Sequence, residues 1–150
     1  HMAIQTKAVN ACDIVLYVTD ADGSFVDVSG SGNEFTMDLS NTIGEWKPFG
    51  SKWKRRLDCG QDGSISFKGF YTVGGNSKNA IDLFKNWYFK TRGLRSVRVA
   101  IPNEEPGSDL YEADVVLESF NIPAKSDDAN PIIFSATLKP DGQVFWDTIA

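Results

Sequence analysis

The chain has the sequence DIVLYVT at residues 13–19, where branched and aromatic side chains alternate between two faces. Ile14, Leu16 and Val18 share one face, and the residues between them share the other. Alternation with a period of two is typical of a β-strand with one side in a core. The dipeptide Asp22-Gly23 that follows is typical of a tight turn between antiparallel strands. This stretch therefore predicts the first strand of a β-rich fold.

Similar alternation recurs before and after residues 41–63, a stretch that has no clear period. It is found at residues 25–28, 35–39, 64–71, 97–101, 111–122, 131–138 and 144–146. Ile65 and Phe67 are assigned to a common core face. In the long segment ending at residue 122, Val115 and Leu117 are assigned to one face and Phe120 to the other.

A single segment has helical rather than strand periodicity. Its apolar residues form one stripe at the spacing of an amphipathic helix: Ile81, Phe84 and Tyr88. Asn76 or Ser77 is positioned to cap the first amides, and Gly93 to end the helix in a left-handed conformation. We therefore expect a mainly β fold, a β-sandwich or barrel of six to eight strands with one flanking α-helix at about residues 77–92.

The length of 150 residues and the 41% hydrophobic content are those of one folded domain. Residues 1–2 are interpreted as the remnant of an expression tag plus the initiator Met, and residues 3–150 as a single domain with a long mobile loop at about 41–63. No apolar run approaches the ~18–20 residues of a membrane span. No membrane association is expected.

The only histidine is His1, within that remnant. Histidine bases, histidine-activated nucleophiles and histidine metal sites are thereby excluded, although carboxylate or lysine chemistry is not. We expect no enzyme activity, no cofactor and no metal. Cys12 and Cys59 are far apart and have no CxxC spacing, which favours two buried thiols over a disulfide.

The most unusual stretch mixes bases and aromatic residues without a clear period. Residues 45–58 hold five bases and two acids, whereas residues 99–150 hold ten acids and two bases. Exposed tryptophans are expected at protein interfaces, and opposite charges on different copies favour self-association. A loop folded onto its own core and a nucleic-acid or carbohydrate surface are the alternatives. The candidate contact residues are Trp46, Lys47, Phe49, Lys52, Trp53, Lys54, Arg55 and Arg56.

The order of elements from residue 13 to residue 138 resembles that of the major tail tube proteins of long-tailed bacteriophages. The resemblance rests on these segments in sequence: DIVLYV, VDVSGSGNEFTMDLS, WKPFGSKWKRRLDCG, SISFKGFY, AIDLFKNWY, RSVRVAIP, YEADVVLESFNIP and FSATL. Members of this family are related to the inner tubes of type VI secretion systems.

The resemblance implies a structural virion protein that self-assembles into hexameric rings. The rings would stack into the tail tube, a conduit for genome delivery in which DNA passes without specific binding. Residues 45–58 would form a loop that contacts the neighbouring ring, and the N-terminal extension Ala3–Cys12 would reach an adjacent subunit. Implied partners are other copies, tape-measure protein and tail terminator, and the implied location is the virion tail after assembly in the host bacterial cytoplasm.

An acidic lumen or partner face is also implied, with four candidate residues on predicted strands: Asp38, Glu112, Asp114 and Glu118. Two other functions stay open at this point. One is a β-sandwich binding module that presents tryptophans to a glycan or a protein. The other is a tail-terminator-like protein that forms one ring and stops.

Overall fold

The computed structural model describes residues 8–9, 11–74, 79–127 and 129–150. It contains eight strands and one α-helix within these ranges, in the chain order β1 Val15–Thr19, β2 Phe25–Asp27, β3 Gly32–Trp46, β4 Arg55–Phe70, α1 Ala80–Phe89, β5 Arg95–Ile101, β6 Asp109–Asn121, β7 Ile133–Pro140 and β8 Phe145–Thr148. Two short 3-10 turns, Ala11–Asp13 and Ser29–Ser31, precede β1 and β3. The expectation of a mainly β fold with one flanking helix is confirmed.

All strands belong to one antiparallel sheet in the order β2-β1-β5-β6-β7-β4-β3. The strand β8 pairs with the first residues of β6, on the edge that β7 occupies further along. The sheet curves into a sandwich-like arrangement but does not close into a barrel. Its two ends are therefore β2 and the much longer β3.

One face of the sheet packs against α1 to form the core. The predicted alternation holds for Leu16 and Val18 in β1 and for Ile65 and Phe67 in β4, all of which are buried. The Phe84 ring of α1 lies 5.5 Å from the Phe67 ring, in a stacked orientation. Burial of such aromatic and branched side chains is the main stabilising contribution to this fold.

The prediction that Phe120 lies on the face opposite Val115 and Leu117 is wrong. The pairing of β6 with β7 shifts register between Leu117 and Ser119, and this bulge returns Phe120 to the core side. Its ring stacks on Phe134 at 5.7 Å, and the partly buried Phe120 side chain packs against the core. A bulge adds one residue to one strand only, so simple alternation fails beyond it.

The helix is shorter than expected. It begins at Ala80 and ends at Phe89, and the proposed capping residues Asn76 and Ser77 lie outside the described residues. The chain turns away after the helix because the amides of Lys90 and Thr91 both donate to the Asn86 carbonyl. Gly93 is in the left-handed region at φ 124°, and the Trp87 Nε1–H donates to its carbonyl.

Candidate assembly surfaces

The expected loop at residues 41–63 is instead a long β-hairpin. β3 and β4 pair from Gly32 with Gly69 to Trp46 with Arg55, and only residues 47–54 connect them. β7 pairs with β4 only from Ile65 onward. Residues 39–63, the hairpin arm, therefore project beyond the sheet with only each other as strand partners in the described structure. Strand periodicity was not evident in the sequence because neither face of the arm is covered.

The arm carries large apolar side chains that are exposed to solvent. They are Leu39, Ile43, Trp46, Phe49, Trp53 and Leu57. Phe49 is fully exposed and Trp53 is 80% exposed. A two-stranded hairpin is at best marginally stable alone, and exposed apolar patches of this kind mark interaction sites.

Local interactions order residues 45–56, the arm tip. Arg56 Nε donates to Glu45 Oε1 at 3.0 Å, and Lys54 Nζ lies 3.6 Å from the other Glu45 oxygen. On the opposite face of the hairpin, the Arg55 guanidinium lies 6.0 Å from the Trp46 ring centroid. Each exposed ion pair contributes at most about 1 kcal/mol. These contacts therefore set the shape of the tip more than its stability.

Both cysteines are exposed rather than buried as expected. Cys12 lies in the 3-10 turn before β1, in which none of the three residues is buried. Cys59 is the extra residue of a bulge in the arm, between the pairs Thr42–Gly60 and Ile43–Asp58. Each lies in a region that β-periodicity does not govern, so alternation gave the wrong burial.

The four candidate acids share one face of the sheet, the polar face, which points away from α1. Glu112 and Asp114 alternate with the buried Ala113 and Val115 along β6. Two of the acids are in ion pairs: Glu112 with Arg98 at 2.6 Å and Glu118 with Lys139 at 3.9 Å.

Asp114 accepts a hydrogen bond from Ser96 Oγ at 2.7 Å, and Asp38 is exposed on β3. Neither Asp114 nor Asp38 has a base within 4 Å among the described residues. The polar face therefore carries excess negative charge, although β7 and β4 separate Asp38 from the other three acids.

Tyr17 extends this polar face onto β1. A hydrogen bond to the Glu104 carboxylate, followed by burial and by the charges of Glu104 and Asp27, raises the pKa of Tyr17 to about 12. Arg98, its neighbour on β5, has its guanidinium 4.2 Å from the Phe25 ring centroid. This cluster could not be predicted from the sequence, because its members come from β1, β2, β5 and the loop after β5.

The edge of β3 is a further feature that sequence reasoning missed. β3 is fifteen residues long and pairs with β4 on one side only, in the part of the chain that the structure describes. Such an edge exposes a row of amide and carbonyl groups that pair readily with another strand. The apolar alternation ends at Leu39, because Ser40, Asn41 and Thr42 are all polar, so the sequence did not show that the strand continues to Trp46.

No family model matches the sequence, and no significant match is found among curated proteins. Solved structures do match. The tail of an empty gene transfer agent particle, solved with C6 symmetry, superposes with a TM-score of 0.70 at 14% identity, covering 93% of this chain and 99% of that one. The SPP1 tail tube gives 0.69 at 14% identity, covering 94% and 80%. The chain has the tail tube fold.

A third match concerns the end of such a tube. The tube-terminating cap of the anti-feeding prophage superposes on the tail tube fold of this chain with a TM-score of 0.73 at 13% identity, covering 99% and 95%. The resemblance to tail tube proteins is thereby confirmed at the level of fold. Within the described residues, no helix is long and apolar enough to cross a membrane, and no group of three metal-ligating side chains is found.

Proposed function

We propose that this chain is a tail tube subunit, whose copies form hexameric rings that stack into a hollow tube for genome delivery. The observation that carries this proposal is the hairpin arm, which exposes Phe49 and Trp53 and has no partner strand outside itself among the described residues. An arm of this kind is stabilised only when another molecule covers it. Trp46, Lys47, Lys52, Lys54, Arg55 and Arg56 complete its contact set.

Lateral contacts in the ring would use the unpaired edge of β3. In a ring of six copies, the edge of each β3 would pair with the neighbouring copy. This pairing would satisfy the amide and carbonyl groups of β3 and leave no open edge, as closure does in barrels. The C6 symmetry of the gene transfer agent tail supports the number six.

The polar face would line the lumen. Asp38, Glu112, Asp114 and Glu118 give it the excess negative charge described above. Phosphate groups are repelled by carboxylates, so DNA passes such a wall without specific binding. This function needs no catalysis and no cofactor, and residues 3–150 would act as one domain.

The partners would be other copies of this chain, a tape-measure protein inside the tube and a terminator at its end. The location would be the virion tail, following assembly in the host bacterial cytoplasm. A terminator-like role, in which one ring forms and growth stops, is the second candidate because the anti-feeding prophage cap has the same fold.

Negative-stain electron microscopy of the purified protein at low and high concentration distinguishes the two. Hollow tubes or stacked rings are expected for a tube subunit. Single rings at every concentration would favour the terminator-like role instead. A protein that stays monomeric at high concentration, even with preformed tube fragments as seeds, would contradict both.

A further inference from the structure

The arm tip and a groove lie at opposite ends of the sheet. β1 and β6 run parallel to β4, because each is separated from the next by one antiparallel strand. β4 leads away from the tip, so the segments that follow these three strands lie at the far end of the sheet. They are the turn at residues 20–24, the connection to α1 and the segment 122–132.

The far end holds a groove of about 660 Å³ between the β1–β2 turn and α1. Leu83 and Phe89 provide its apolar wall, and Phe89 is 70% exposed. Asp20, Ala21 and Asp22 form the rim on the turn side. The groove therefore combines an open aromatic surface with carboxylates at its edge.

Most bases near the groove are already engaged. Lys85 lies 3.5 Å from Asp82, and the buried Arg95 donates to the Thr91 carbonyl and to Asn86 Oδ1. Lys90 is the remaining base at the rim. The Asp22 side chain is exposed on the turn, whereas Asp20 already accepts bonds from the Asp22 and Ser24 amides. Asp22 is therefore the carboxylate best placed for a cation from outside.

The arm tip is not suited to dock on the tip of a second copy. Its five bases outnumber the acid Glu45, so two tips would repel each other. The exposed aromatic residues of β8, Phe145 and Trp146, pair with the start of β6 and thus lie at the same end as the tip. A head-to-tail contact between copies requires a surface at the other end.

We propose that the groove between the β1–β2 turn and α1 receives the arm tip of a second copy, with Trp53 against Phe89 and Lys52 beside Asp22. This inference rests on the proposed function, because it names the receiving surface for stacking. Opposite charges at the rim fix the register, and the aromatic contact removes apolar surface from water.

A charge exchange tests the pair. Lys52→Glu and Asp22→Lys should each raise the concentration for half-maximal assembly about tenfold, since one attraction becomes a repulsion. The double variant should return to within about threefold of wild type. Glu105→Lys, at the opposite end of the sheet, is the matched control for Asp22→Lys and should have no effect. A double variant no better than the worse single variant would overturn the proposal.

Cross-linking tests the same contact without relying on tubes. In a Cys12→Ser, Cys59→Ser background, Phe49→Cys combined with Ala21→Cys should give disulfide-linked oligomers under mild oxidation. Phe49→Cys combined with Glu105→Cys should give few. If the protein with Phe49→Cys and Ala21→Cys forms normal tubes but shows no cross-link between these two positions, the docking site alone is overturned. Cross-linked oligomers from a protein that forms no hollow tube or ring would instead overturn the proposed function.

Discussion

The sulfur of Cys59 lies over the backbone of Gly44, where a Cβ added at position 44 would come within 2.8 Å of it. Cys59 is the additional residue of the bulge, so its side chain has no cross-strand partner of its own and occupies the space above the glycine. The Cys59 thiol also donates to the Leu57 carbonyl at 3.5 Å. This contact packs the two strands of the arm against each other halfway along its length, far from the core.

Gly44→Ala should therefore loosen the arm locally. Overpacking against a short side chain costs about 1 kcal/mol, which corresponds to about fivefold faster hydrogen exchange of the arm amides. Thermal unfolding of the whole chain should not change, because the core is untouched. Adding Cys59→Ala removes the sulfur and should restore slow exchange; continued fast exchange in that double variant would contradict the packing explanation.

The arm tip should be required for stacking. Arg55→Glu combined with Arg56→Glu cancels the net positive charge of the tip and removes its contacts with Trp46 and Glu45. We expect no tubes by electron microscopy, with an unchanged circular dichroism spectrum because neither side chain is in the core.

A matched control makes the same change in net charge elsewhere. Lys68→Glu combined with Lys139→Glu alters the polar face, where each lysine has only an exposed ion pair. Tubes from this control are expected. Normal tubes from the arginine variant would refute the role of the tip.

Arg95 links the end of α1 to β1 and should contribute to the free energy of unfolding. Its guanidinium lies 5.0 Å from the Trp87 ring centroid and donates to the carbonyls of Thr19 and Thr91. Arg95→Met leaves the buried Thr19 carbonyl without this donor and removes the contacts with Trp87 and Thr91, and should lower the free energy of unfolding by about 2–3 kcal/mol in urea denaturation. Arg92→Met, on the exposed segment nearby, should change it by less than about 0.5 kcal/mol. Equal effects of the two substitutions would argue against this connection.

Tyr17 should titrate at a higher pH than a tyrosine with the ordinary pKa of 10.0. Its folded pKa of about 12 lies above the ordinary value of 10.0, mainly because its hydroxyl is bonded to Glu104. The folded state therefore holds this proton more tightly, and the contribution to stability is complete below pH 10 and lost as the pH rises through about 12.

Tyrosinate absorbance in the ultraviolet measures the effect directly. Glu104→Gln should move the late titration step toward the ordinary range and reduce the loss of stability at alkaline pH. Glu105→Gln, one residue further along, is the control and should leave the step in place. A late step that persists in Glu104→Gln would show that burial and the charge of Asp27, rather than Glu104, raise the pKa of Tyr17.

The sequence by itself determined which residues form the core. Leu16 with Val18 and Ile65 with Phe67 alternate with polar neighbours, and burial of one strand face leaves this period in any sequence that folds this way. The single helix was also evident, since Phe84 and its neighbours repeat at a helical spacing. These signals are local, so they need no knowledge of which strands pair.

Only the tertiary structure decided the arm, the edge of β3 and the face of Phe120. In the arm, the β4 residues 55–62 are all exposed, so burial imposed no period on them from which a strand could be predicted. The bulge near Ser119 depends on pairing with β7, which follows later in the chain. A surface that is not buried within a single chain acquires no hydrophobic periodicity from the fold of that chain. Its shape is set by pairing between strands that are distant in the sequence.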